Sequence, residues 1–144
     1  MNRDYDIAQL LVSCWALSDP ANERKLPTSN AILDRALRIA VERRLFPEWV
    51  RSSLTFVDSR MGLQCVELPQ VLDWAQRAKL TNAPNPSYQF TEVNVSKFVA
   101  RQLLRRLGIS AEDAASWGAG LRQALKEAEL QAKQFEDSEL LVAS

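Results

Sequence analysis

Gly108 divides the most strongly patterned part of the chain, residues 94 to 135, into two helices, and no other feature limits the fold as much. Ahead of it, Val95, Val99, Ala100, Leu103, Leu104 and Leu107 fall on one side of a helix at 100° per residue. Asn94 stands where an N-cap is expected, and Gly108 suits the left-handed C′ position. The opposite side carries Lys97, Arg101 and Arg105 as an i, i+4, i+8 row bordered by Phe98 and Gln102. A cationic row beside an aromatic and an amide suits an acidic protein surface or a run of phosphates. Its plainer use is as a solvated face.

After Gly108, Ser110 and Asp113 form a variant of the capping box. The helix they open is expected to run to about Phe135, a length of roughly 38 Å at the helical rise of about 1.5 Å per residue. Ala114, Trp117, Gly118, Leu121, Ala124, Leu125, Ala128, Ala132 and Phe135 make its apolar stripe, whose small residues admit a second helix at close range. Core packing is the expected use of the stripe; homodimer formation through 111–135 is the competing one.

Leu107-Gly108-Ile109-Ser110, with Trp117 following, resembles the turn of a helix-turn-helix DNA-binding domain. The resemblance is confined to this turn and the helical segments on either side of it, and it implies, as the alternative reading, a nucleic-acid-binding transcription regulator. The second helix departs from that pattern. It begins Ala111-Glu112-Asp113 and has no basic residue before Arg122, whereas base reading needs donors in its first turns.

The 144 residues carry no net charge, but the balance hides a segregation. Residues 69 to 107 hold six basic and two acidic groups, and residues 108 to 144 hold three basic and seven acidic ones. The zero net charge argues against a generally basic nucleic-acid coat protein. Histidine is absent, which removes the commonest general base and zinc ligand and every Ser-His or Cys-His nucleophile. The four glycines build no phosphate-cradling loop. Glu67 with Asp73, and Glu112 with Asp113, have simpler roles at helix starts or on the surface. Cys14 and Cys65 each lie in an apolar pattern with no nearby second cysteine, as buried reduced thiols do. The expectation is a cytoplasmic, non-enzymatic protein with no cofactor, no metal and no membrane segment.

From Asp4 to Leu17, Ile7, Leu10, Leu11, Cys14 and Trp15 recur at helical spacing. Residues 18 to 27, with two prolines, are expected to be a loop. A second helix follows Thr28 or Ser29 as N-cap, with Ile32, Leu33, Ala36, Leu37, Ala40, Val41 and Leu45 inward and Arg35, Arg38 and Arg43 or Arg44 outward. Pro47 starts a short turn of helix, with Phe46 and Trp49 in the core. Residues 54–57 and 63–66 read as a small β-hairpin around the loop 58–62, placing Arg60 at its tip as in a winged helical domain; a meandering connector is the alternative. Pro69 opens a helix to about Leu80, residues 81 to 87 form a loop, and residues 88–90 are extended.

The expected fold is mainly α: a compact bundle of about six helices over residues 1–136, with the hairpin, a long C-terminal helix and an acidic flexible tail at 137–144. The expected function is a regulatory or adaptor protein that binds an acidic protein partner through an arginine-rich helical face. Lys97, Phe98, Arg101, Gln102 and Arg105 lead the candidates for that face, with Arg35, Arg38 and Arg60 behind them.

Overall fold

A computed structural model describes residues 3–18, 24–28, 31–60, 62–82 and 89–143, with side chains described as far as Gln134. Among these residues the chain is mainly helical, with six helices and two small two-stranded sheets. The helices are α1 (Arg3–Leu17), α2 (Ile32–Glu42), α3 (Glu48–Arg51), α4 (Leu68–Arg77), α5 (Lys97–Leu107) and α6 (Ala111–Ala143). The strands are β1 (Lys25–Pro27), β2 (Phe56–Ser59), β3 (Gly62–Cys65) and β4 (Phe90–Glu92).

Helix α1 is the centre of the core. Every residue from Ile7 to Trp15 is buried, because α4, α5 and α6 all pack around it. The one-sided pattern read from Ile7, Leu10, Leu11, Cys14 and Trp15 therefore understates its burial: Ala8, Gln9, Val12 and Ser13 are enclosed too. Tyr5 meets Trp74 of α4 edge-on at 5.5 Å between ring centroids. The Arg3 guanidinium lies 5.1 Å from the centre of the Trp49 ring.

Helix α6 crosses α1 at Gly118, where a side chain would collide with the Cys14 carbonyl and with Ser18. Arg122, one turn on, fastens the crossing. Its guanidinium stacks 3.7 Å from the Trp15 ring centre and donates to the Trp15 carbonyl at 2.8 Å and to Ser18 Oγ at 2.9 Å. The small residues of the α6 stripe thus serve packing inside the chain, where Ala114, Gly118, Leu121, Ala124, Leu125 and Ala128 are buried against α1 and α2. A homodimer through 111–135 would have to use what this packing leaves outside, among the described side chains chiefly Leu130 at 57% exposure. Ser110 caps α6 by accepting the Asp113 N–H at 3.1 Å, and Gly108 ends α5 with φ 71°. Helix α6 runs to Ala143, past the end expected near Phe135 and through residues 137–143 expected as a tail, with side chains described only as far as Gln134.

Several local expectations are corrected. Residues 25–27 form a strand rather than part of a loop. They pair antiparallel with β4, and Leu26 is buried. Thr28 N–H donates to Gln89 O and Val93 N–H to Arg24 O, so the hydrogen-bonded positions on the β1 side are the even ones and Pro27, lacking an N–H, occupies a position that needs none. Helix α2 starts after Ala31, which is left-handed at φ 57°, so Thr28 does not cap it, and Ser29 lies outside the described residues. The helix stops at Glu42, leaving Leu45 beyond its end. Pro47 is the N-cap residue of α3, and Pro69 stands within the first turn of α4 rather than opening it. Helix α4 ends at Arg77, short of Leu80. Of the loop expected at 81–87, Thr81 forms a bridge with Val93, and residues 83–87 lie outside the described residues, as does residue 88 of the extended piece.

Helix α5 is capped by Ser96, whose Oγ accepts the Val99 N–H at 3.2 Å, and not by Asn94. Asn94 N–H instead donates to Leu80 O at 2.7 Å, beside the bridge from Thr81 to Val93, so the chain stays extended to Val95. The hairpin forms as expected, but with a tighter turn. Asp58, Ser59 and Gly62 belong to the strands, and Ser59 pairs directly with Gly62 across the turn.

Candidate partner-binding faces

Two surfaces gather the candidate residues. The first is the outer side of α5. Ala100 and Leu104 are buried, with Leu103 and Leu107 partly so. This seats the helix on α1 and turns Lys97, Phe98, Arg101, Gln102 and Arg105 to solvent together. Val99 departs from the expected apolar side and is 38% exposed, next to Phe98 at 67%. Among the described residues none of Lys97, Arg101, Arg105 or the adjacent Arg106 forms an ion pair. The basic stretch 69–107 and the acidic stretch 108–144 are not neutralised against each other by any ion pair among the described residues. The α5 face is accordingly a row of uncommitted cations around an uncovered aromatic ring.

The second surface is a groove of about 1350 Å³ bounded by α2, the β2–β3 hairpin and, at one end, Gln131 and Ala132 of α6. It brings together Arg35, Arg38 and Arg60, which the sequence names on separate elements. The tether is Asp34, whose carboxylate accepts the Cys65 N–H at 2.8 Å and so holds β3 against α2. Arg35 then runs beneath the hairpin end, its Nη2 3.8 Å from the place where a Cβ would stand on Gly62. Its Nε is shielded from solvent and has no acceptor among the described residues. A buried donor left unmade costs about 1–3 kcal/mol. Arg38 is engaged with Glu42 at 3.2 Å along α2. That pair is exposed and of small energetic weight. Arg60 occupies the exposed turn of the hairpin, as expected.

Arg43 has a different role from the one its place in the α2 row suggests. It reaches Glu127 of α6 at 2.6 Å and stitches the two helices together. That hydrogen bond raises the guanidinium's pKa and lowers the carboxyl's. The groove also takes Asp58, Gln64, Val66 and Pro69, which the sequence reading did not single out. The one available signal was the alternation of the hairpin, which puts Gln64 and Val66 on the same side of β3 and the turn after it.

The two surfaces belong to different parts of the fold: α2 packs on α6 and β3, whereas α5 packs mainly on α1. Of the helix-turn-helix-like pair, α5 and α6 lean more on α1 than on each other, and the early turns of α6 expose Glu112, Asp113 and Ser116. Among the described residues no cluster of three or more Cys, Asp or Glu side chains could hold a metal ion, and no helix is long and apolar enough to cross a membrane. Burial raises the pKa of both thiols, Cys65 to about 11, so neither is an activated nucleophile. No family model, curated protein or solved structure matches this chain.

Proposed function

We propose that this protein is a non-catalytic regulatory or adaptor protein that captures an acidic partner protein on the outer face of α5. The observation that carries the reading is Phe98, exposed by two thirds between Lys97, Arg101 and Gln102 on a helix whose other side is fixed to α1. An aromatic ring flanked by arginines is the composition of an interface hot spot, where the ring supplies buried area and the guanidiniums take carboxylates in paired hydrogen bonds. Lys97, Arg101 and Arg105 would steer and orient the partner, and Phe98 would anchor it.

The test is retention of partner proteins from an extract of the source cells by the wild type, the Arg101→Glu/Arg105→Glu double variant and Phe98→Ala. The expected result is a defined partner with an acidic contact surface, held by the wild type and lost on reversal, while the circular dichroism and melting temperature of the variants stay unchanged. Equal retention by the double variant removes the basis of the proposal. Labelled duplex DNA measured by fluorescence anisotropy at low and near-physiological salt supplies the counter-outcome. Duplex binding that falls steeply with salt and disappears on reversal would give the face to nucleic acid.

A further inference from the structure

The α2–hairpin groove is not accounted for by a partner on α5, and its charges are arranged differently. Two of its carboxylates are occupied, Asp34 by the Cys65 N–H and Glu42 by Arg38. Arg35 and Arg60 have no ion-pair partner among the described residues, and Arg35 keeps a shielded Nε without an acceptor there. Asp58 stands on the hairpin beside them, also outside any ion pair among the described residues. The groove therefore offers two guanidiniums and one carboxylate for binding. Val66, 54% exposed, and Pro69 add apolar contact along one wall. Sites that enclose a small molecule usually measure about 300 to about 1000 Å³. This groove is larger than that.

We propose that this groove binds an extended peptide segment of mixed charge from a partner protein, with a carboxylate of the segment held by Arg35 and Arg60 and a neighbouring cation by Asp58. Charge complementarity selects this occupant. Arg35 and Arg60 line the groove without an ion-pair partner among the described residues, and guanidinium forks favour planar oxyanions such as a carboxylate. A uniform polyanion such as nucleic acid would meet Asp58 and the carboxylates of Asp34 and Glu42 in the same groove. An acidic residue with a basic neighbour meets both signs. The proposal is independent of the α5 face and stands or falls separately.

The experiment selects random dodecapeptides displayed on phage against the immobilised full chain, then measures a fluorescein-labelled consensus peptide by anisotropy. The expected consensus sets Asp or Glu next to Lys or Arg. Arg35→Gln and Arg60→Gln each weaken the labelled peptide at least tenfold, Asp58→Lys weakens it severalfold, and Arg101→Glu/Arg105→Glu leaves it within twofold. Arg60 lies on an exposed turn, so its variant tests the site even if Arg35→Gln fails to fold. Any of these outcomes overturns the proposal: no sequence enriched above background, a purely acidic consensus, affinity unmoved by Arg60→Gln, or displacement of the peptide by duplex oligonucleotide at low micromolar concentration. Binding lost only on reversal of Arg101 and Arg105 would assign the peptide to α5 and also overturn it.

Discussion

Replacing Gly118 by alanine tests the contact that fixes α1 against α6. A Cβ there would stand 2.6 Å from Ser18 Cβ and would run into the Cys14 carbonyl, a backbone atom that can clear only if the helices separate. Overpacking of this kind costs about 1–3 kcal/mol, and an immovable partner places the cost at the upper end. Separation also stretches the Arg122 hydrogen bonds to Trp15 O and Ser18 Oγ. Each is a charged bond of about 1.5–3 kcal/mol, of which a fraction is lost. Against this, alanine gains about 1 kcal/mol of helix propensity. The net expectation is a destabilisation of about 2–4 kcal/mol, a melting temperature lower by roughly 10 °C in a domain of this size. Gly120→Ala is the control, because its Cβ would meet only the end of the Leu45 side chain, 2.5 Å away, which can rotate aside. That variant should stay within about 1 kcal/mol of the wild type. Far-ultraviolet circular dichroism during heating and urea denaturation measures both. If Gly118→Ala melts together with Gly120→Ala, close backbone approach does not hold these helices, and the account of the α6 stripe fails.

Asp34→Ala leaves the Cys65 N–H unmade. The loss should cost about 1–2 kcal/mol, and hydrogen exchange should show faster opening of β3 while α1 keeps its protection. Ser110→Ala and Ser96→Ala remove helix caps. Each should lower urea-derived stability by about 1 kcal/mol. The Cys65 thiol, raised from 9.0 to about 11 mainly by burial, binds its proton more tightly folded than unfolded. Its contribution to stability is therefore full below pH 9.0 and is lost as pH rises to about 11. The difference in urea midpoint between wild type and Cys65→Ala should shrink over that interval, and a constant difference would refute the assignment.

The helices of this chain were legible because their evidence is local. Helical periodicity, Gly108 at a left-handed end and Ser110 before Asp113 act within one or two turns, and the basic row of α5 follows from the same arithmetic. The pairing of Lys25–Pro27 with Phe90–Glu92 was hidden, since the partner strand lies far along the chain and Pro27 signals a break unless its position in the ladder is known. Asn94 and Ser96 are equally good caps by composition. What chooses Ser96 is the extended stretch through Val95, held by Leu80 O and the Thr81–Val93 bridge. Arg43 was read with its neighbours on α2, because no local pattern points from it to Glu127 on α6. The groove was half visible: Arg35, Arg38 and Arg60 could be named as basic residues, but their meeting depends on the packing of β3 against α2, to which the bond from Cys65 N–H to Asp34 contributes.

The enclosure of α1 also sets an order of events during synthesis. The helix precedes α4, α5 and α6 in the chain, so its apolar circumference leaves the ribosome before any of the three helices that cover it has been made. At about 5–20 residues per second, the interval from Leu17 to the α6 segment around Arg122 lasts roughly 5–20 s. Until the last of the three has been made, part of the surface around Ile7, Leu10, Leu11, Val12 and Trp15 stays uncovered, and a nascent chain stalled before Gly118 should be a substrate for hydrophobic-binding chaperones. Release of the chain from such a chaperone should therefore be complete only once α6, the last of the covering helices, has been made.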